Sequence, residues 1–183
     1  MGFNADKSFR ALNFKLYLPP KLNGMSYNIR LAEKSDMTAV LNLINELAVY
    51  EKEPDAVEVT VEDLENDGFG THPKFTCFVA ETEGDVVGIA LVYLRFSTWK
   101  GDVLHLEDLI VSQKMRGTGL GTALLNEVVK HGDQLGVKRI SWEVLDWNES
   151  AINFYEKKGA NVMRDWDVVH LNEKAIKAYI NSI

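Results

Sequence analysis

Val111-Ser-Gln-Lys-Met-Arg-Gly-Thr-Gly-Leu-Gly-Thr122 is the stretch on which the reading of this chain turns. The apolar run Val103 to Val111 leads into Arg116-Gly-Thr-Gly-Leu-Gly121. Leu120, Ala123, Leu124 and Val128 then recur at i, i+3, i+4 and i+8, the spacing of one helix face. Strand, glycine-rich turn and helix start, in that order, predict an anion site. The first turn of a helix has unpaired N–H groups and a partial positive charge. Glycine adds close approach and access to positive φ. A pyrophosphate suits such a cradle; an ordinary strand-to-helix turn rich in glycine fits the spacing equally well. Two familiar glycine loops fit worse. A Walker loop needs Lys-Ser or Lys-Thr after its last glycine, but Leu120 and Thr122 flank Gly121. The dinucleotide fingerprint needs G-x-G-x-x-G, but the glycines here stand at 117, 119 and 121.

The rest of the chain narrows the class. Its 183 residues suit one domain with a substantial core. A hydrophobic content of 46% with 26% charged residues is that of a globular protein. The net charge of −7 and the lack of a basic tract argue against a nucleic-acid partner. Cys77 is the sole cysteine, so neither an intrachain disulfide nor zinc-finger spacing is available. It lies in the apolar Phe75-Thr-Cys-Phe-Val-Ala80 and reads as a core thiol. The four histidines, 72, 105, 131 and 170, show no metal-ligand spacing. No apolar run reaches the ~18 residues of a membrane span, so no membrane partner and a cytoplasmic location are expected. Residues 1–24 read apart from the remainder and lack the apolar core and cleavage site of a signal peptide. An extension, a misplaced start and an ordered arm all fit them. A single domain is expected over 25–183.

Periodicity predicts a strand at Tyr27–Ala32, then a helix capped by Ser35 or Asp36 with Val40, Leu43, Ile44 and Leu47 on one face. Pro54 stops it. Thr60-Val-Glu-Asp63 resembles a capping box and opens a short helix to about Glu65, followed by a turn-rich loop Asp67–Pro73. Strands follow at Phe75–Glu81 and Val86–Phe96, hairpinned near Gly84-Asp85, and at Val103–Val111. A long helix spans Gly119–Leu135, stopped by Gly136. Arg139–Leu145 reads as a strand, Asn148 or Ser150 opens a helix closing near Gly159, Val162–Leu171 is a strand candidate, and Asn172–Ile183 is a terminal helix. The order β-α-α-β-β-β-α-β-α-β implies an α/β (α+β) fold with a mixed central sheet and helices on both faces.

Arg-x-x-Gly-x-Gly, here Arg116, Gly119 and Gly121, resembles the loop with which GNAT-superfamily acetyltransferases hold the pyrophosphate of acetyl-CoA. Further segments are similar to the diamine (spermidine/spermine) and thialysine acetyltransferase branch. They are Ile44-Asn-Glu-Leu-Ala-Val-Tyr-Glu51, Asp67-Gly-Phe-Gly-Thr-His-Pro73, Ser97-Thr-Trp-Lys-Gly101, Leu106-Glu-Asp-Leu-Ile-Val111 and the run from Leu145-Asp-Trp-Asn148 through Asn153-Phe-Tyr155 to Ala160. The resemblance covers about Tyr27 to the C-terminus. It implies the GNAT fold, acetyl-CoA as co-substrate, a small-molecule amine as acceptor, no metal and a homodimer.

Amine acetylation makes three demands: an ammonium must lose a proton, a thioester carbonyl must be stabilised as it gains charge, and a thiolate must leave. Glu107 and Asp108 are adjacent acids in an apolar strand, where a regular pleat would send them to opposite faces. Glu107 is the candidate to bind the ammonium and take its proton; Asp108 would tune the site or hold a second amine. Solvated or salt-bridged acids at a strand end are the plain alternative. The resemblance assigns Tyr155 as proton donor to the departing sulfur, against a packing role like that of Phe154. It implies that the backbone of Leu109, Ile110 and Val111 holds the pantetheine and polarises the carbonyl. Gly117, Thr118, Gly119, Leu120, Gly121 and Thr122 would hold the pyrophosphate with Arg116. Asn148, Ser150 and Lys157 would reach other parts of CoA, though Lys157 also reads as a solvated helix residue. Tyr50, Glu51 and Trp99 offer aromatic faces and a carboxylate to an ammonium, with Glu143 and Trp166 as weaker acceptor-side candidates. Spermidine-type relatives carry an acid two positions before the tryptophan. Ser97 stands there in this chain, as in thialysine-type members, which points to thialysine, lysine-like or short diamine acceptors. A peptide N-acetyltransferase and a non-catalytic acetyl-CoA-binding module remain the alternatives.

Overall fold

The computed structural model describes residues 26–183, so the reading of 1–24 as an extension lies outside the described residues. The chain groups into two compact units, the first ending at Glu143 and the second running Val144–Ile183.

The first unit is a five-stranded sheet in the order β1-β2-β3-β4-β5. Its strands are β1 (Asn28–Leu31), β2 (Thr76–Thr82), β3 (Asp85–Ser97), β4 (Gly101–Val111) and β5 (Ile140–Ser141). The first four pair antiparallel; β5 pairs parallel to β4, so the sheet is mixed as the element order predicts. The β2–β3 hairpin turns through Glu83 and Gly84, both at positive φ (53° and 89°), which matches the right-handed twist of its strands.

Helices cover both faces. Helix α1 (Met37–Tyr50) buries Met37, Val40 and Leu43 against Cys77, Val79, Ile89, Leu91 and Ile110. Helix α2 (Val61–Phe69) adds Leu64 to that core. Helix α3 (Leu120–Gln134) takes the opposite face, where Phe78 meets the His131 ring edge-on and Gly88 lies under Leu124. An added Cβ at Gly88 would sit 3.1 Å from Leu124 Cδ1, so this small residue brings β3 and α3 together. Arg30 on β1 forks onto Asp36 at 2.6 and 3.0 Å and reaches Glu81 on β2 at 2.9 Å. Asp36 Oδ2 also accepts the Glu33 N–H at 2.7 Å, which ties the entry to α1 to the sheet edge.

Three sequence expectations change. Thr60 and Asp63 form the expected capping box, but α2 runs on to Phe69 rather than stopping near Glu65. Gly68 allows this by packing, since a Cβ there would lie 2.7 Å from the Phe75 ring. The strand expected over Arg139–Leu145 keeps only Ile140 and Ser141, because β5 meets β4 at just Leu104 and His105. Val162–Leu171 forms no strand. Most of its apolar residues are exposed, Trp166 at 66% and Val169 at 86%, and the pattern finds no ladder partner among the described residues.

The second unit carries α4 (Glu149–Glu156) and α5 (Glu173–Ile180). Asn148 and Asn172 cap them, accepting from the N–H groups of Ala151 and Ala175 at 3.2 and 2.9 Å.

Candidate active site

The glycine loop folds as an anion cradle should. After β4 a short 3₁₀ turn, Gln113–Met115, leads to Gly117 (φ 75°) and Gly119 (φ 91°), both left-handed. Gly119 is the N-cap of α3, and the first bond of the helix runs from Ala123 N–H to Gly119 O at 3.1 Å. The N–H groups of Gly119, Leu120, Gly121 and Thr122 therefore lie ahead of the helical ladder and open at its positive end. Thr118 steadies the turn by donating its hydroxyl to Met115 O at 2.6 Å.

Beside this cradle β4 has an open edge. Leu109, Ile110 and Val111 pair with Ala90, Ile89 and Gly88 of β3 on one side. On the other side β4 has a strand partner only at Leu104 and His105 among the described residues. Backbone groups of 106–111 on that edge have no strand to bond. This is the splayed strand that the resemblance implies, and it follows from the shortness of β5.

Glu107 and Asp108 do not obey the regular pleat. Leu91 pairs with Asp108 and Val92 with Leu106, so Glu107 is the extra residue of a β-bulge. Asp108 follows Leu91 onto the α1 face. Glu107 lies 3.5 Å from Nε2 of His105, which pairs with Tyr93 on that same face. The bulge thus turns both carboxylates to one side, where a regular strand would part them.

Their environments differ. Burial, the Glu107 charge and the Glu51 charge push the Asp108 carboxyl from an ordinary 3.8 up to about 6. Glu51 follows the end of α1 and is itself held above the usual carboxylate range by burial. Glu107 has a half-exposed side chain. A buried acid near pH 6 beside an accessible one gives a site that favours a cation and offers an open carboxylate to its proton.

Arg116 joins the cradle to this cluster. Its guanidinium stacks 4.7 Å over the Tyr50 ring, donates from Nε to Val111 O at 3.2 Å, and approaches Glu46 at 3.8 Å. Glu46 also accepts the Gln113 N–H at 2.7 Å. The first unit therefore brings together Tyr50, Glu51, Glu107, Asp108, Arg116 and the glycine loop. Glu143 lies two residues past Ser141, which pairs with His105, and its charge acts on both His105 and Tyr93. Trp99 is not brought in. It sits 78% exposed in the β3–β4 turn, and the strand rise from Gly101 to Glu107 sets it about 20 Å from the carboxylates.

In the second unit Tyr155 is buried on α4, its ring tilted against Phe154 at 5.2 Å between centroids. Asn148 caps that helix, Ser150 and Lys157 are exposed, and Trp166 is exposed outside any helix or strand. Sequence reasoning passed over His105, Tyr93 and Glu46. The signals were present: His105 and Glu107 are two apart on a strand, and Glu46 lies one helical turn before Tyr50. Among the described residues no group of three or more His, Cys, Asp or Glu is arranged to hold a metal.

The comparisons with known proteins point to one family. The Acetyltransferase (GNAT) family pattern matches residues 37–160. Thialysine N-epsilon-acetyltransferase of Bos taurus is 38% identical over 150 residues, covering 78% of this chain and 88% of that protein. Spermidine/spermine N(1)-acetyltransferase-like protein 1 of Homo sapiens is 37% identical over 141 residues, covering 73% of this chain and 20% of that protein. Among solved structures, an aminoglycoside N-acetyltransferase in complex with CoA superposes with a TM-score of 0.66 at 18% identity, covering 85% of this chain and 99% of that one. By its loop, its split sheet and these matches, the chain belongs to the GNAT family of acetyltransferases.

Proposed function

We propose that this protein is an acetyl-CoA-dependent N-acetyltransferase of small primary amines, with thialysine, lysine-like amino acids or short diamines as acceptors. The observation that carries the reading is the stacking of Arg116 on Tyr50, by which the phosphate cradle and the acidic cluster share one wall. Relatives named for thialysine and for spermidine/spermine acetylation support the acceptor class, and Ser97 in place of an acid favours the thialysine side.

Acetyl-CoA supplies an acetyl group activated as a thioester. The N–H groups of Gly117–Thr122 and the Arg116 guanidinium suit its pyrophosphate, and the open edge of β4 suits its pantetheine. Asn148, Ser150 and Lys157 are assigned to the remainder of CoA. On the acceptor side, ionised Asp108 and Glu51 attract the ammonium, and the Tyr50 face adds cation–π attraction. Glu107 takes the proton that frees the amine lone pair. Backbone N–H groups of Leu109–Val111 stabilise the oxyanion, and Tyr155 donates to the departing sulfur. Glu143 is assigned to the acceptor side by its charge on His105 and Tyr93, and Trp166 by the resemblance alone. The reading includes a cytoplasmic homodimer, for which the exposed apolar residues of 162–171 offer a surface.

The test is thiol release from acetyl-CoA with thialysine, lysine, putrescine, spermidine, spermine and short peptides, repeated with Glu107→Gln and Tyr155→Phe. Turnover on the amino acids or diamines, lost in both variants while acetyl-CoA still binds, is the expected result. Turnover on peptides alone, or full activity in both variants, would overturn the reading.

A further inference from the structure

Glu107 has a buried neighbour that the mechanism above does not use. His105 is 7% exposed, and each edge of its ring meets a polar group. Nε2 faces Glu107 Oε2 at 3.5 Å, and Nδ1 faces Ser141 Oγ at 3.4 Å. On the far side of Ser141, Arg95 donates from its guanidinium to the same hydroxyl oxygen at 3.2 Å. The Tyr93 ring packs 5.1 Å from the imidazole, tilted by 46°, and restricts its rotation.

The partners at the two edges of the ring favour one tautomer. Arginine only donates, so Ser141 accepts from Arg95 and keeps its own hydrogen to give. Ser141 has a second lone pair, so the other edge of the ring sets the roles: an ionised Glu107 can only accept, which favours the hydrogen on Nε2 and leaves Nδ1 to accept from Ser141. A neutral imidazole that accepts at Nδ1 carries its proton on Nε2, the atom facing Glu107. In that tautomer the donors run from Arg95 through Ser141 and His105 toward the carboxylate, which lies at the 3.5 Å of an ion-pair contact.

We propose that His105 is a positioning residue: relayed through Ser141 from Arg95, its Nε2–H aims and holds the Glu107 carboxylate for proton abstraction. The proposal rests on Glu107 as the base. It gives the half-exposed Glu107 carboxylate a second donor beside the Tyr93 hydroxyl, which already hydrogen-bonds it. The groups facing the imidazole are Tyr93 and Arg95 from β3, Glu107 on β4, and Ser141 and Glu143 from β5 and just beyond. Burial, and then the Arg95 charge, hold His105 below its ordinary pKa against the opposing pull of Glu107 and Glu143. The ring is thus a neutral donor at working pH.

The experiment compares kcat, KM and their pH profiles for the intact protein and for His105→Leu, His105→Gln, Ser141→Ala and Glu107→Gln, with acetyl-CoA and the best amine of the panel. His105→Leu is expected to lose about tenfold in kcat, a part of what a placed general base supplies. Its KM for acetyl-CoA stays unchanged and the acid limb of its profile moves to higher pH. His105→Gln, whose amide can donate to Glu107 and accept from Ser141, is expected to recover most of the rate. Ser141→Ala is expected to move the acid limb the same way by a smaller amount. Wild-type kcat and profile in His105→Leu, alongside a dead Glu107→Gln, would overturn the relay and leave the base standing. An active Glu107→Gln would remove the base itself. Equal impairment of the Gln and Leu variants would overturn the donor role in favour of shape. If His105→Leu does not fold, an unchanged profile in Ser141→Ala overturns the relay.

Discussion

Replacing Asp108 with asparagine should stabilise the protein, and only above a definite pH. In the folded chain the Asp108 carboxyl sits at about 6, against an ordinary 3.8 that it regains on unfolding. Between those values the folded state holds a proton that the unfolded state has released. Stability therefore falls as pH rises through this window, and the full penalty is present above pH 6. A difference from 3.8 to about 6 corresponds to about 3 kcal/mol. Asparagine keeps the shape and removes the charge, so Asp108→Asn should gain up to about 3 kcal/mol at pH 8 and almost nothing at pH 4. For a chain of this size that is up to about 10 °C in Tm at pH 8. Thermal melts of both proteins at pH 4, 5, 6, 7 and 8, without ligand, measure it. A Tm difference that stays constant across the series, or an asparagine variant less stable at pH 8, would refute the reasoning.

Gly119→Ala forces alanine into the left-handed region at φ 91°; the strain is about 1–2 kcal/mol, and KM for acetyl-CoA should rise with little change in secondary structure by circular dichroism. Cys77, 5% exposed with its thiol pushed up to about 12 by burial, should resist a disulfide-exchange reagent at pH 8 and react fully in denaturant. Arg30→Met strips Asp36 of the partner that lowers its pKa. It should cost roughly 2 kcal/mol at pH 7 by urea unfolding. The sign follows from the depressed carboxyl. Its stabilisation is present above pH 3.8 and is lost as pH falls through the lowered value, so the variant and the parent should converge in acid.

Much of this fold is legible because local chemistry and packing agree. The 3.6 spacing of Val40, Leu43 and Leu47, the Thr60–Asp63 box, the Glu83-Gly84 turn and the glycine loop each state their own geometry. What escaped the sequence depends on pairing between distant segments. The bulge at Glu107 is set by how β4 meets β3, and a reading by twos along one strand cannot see an extra residue. The brevity of β5 reflects where it parts from β4, which the apolar alternation of Arg139–Leu145 conceals. The pattern of Val162–Leu171 reads as a strand because period two reports a propensity, while a ladder also needs a neighbour. Within the candidate site, acids and glycines announce themselves by being out of place, whereas His105 and Glu46 look ordinary until their partners are known.

The open edge of β4 bears on how such an enzyme can change over time. A row of main-chain donors is supplied by every residue type except proline. Drift at Leu109, Ile110 or Val111 alters packing while leaving that row in place, so the cofactor recognition proposed for it is insulated from most substitutions. In the proposed reading acceptor recognition has no such insulation, because there it rests on the side chains of Tyr50, Glu51, Glu107 and Asp108. One half of the reaction is thus free to keep its partner while single replacements in the other half redirect it, and divergence among descendants of this chain should be one of amine preference under a constant acetyl donor.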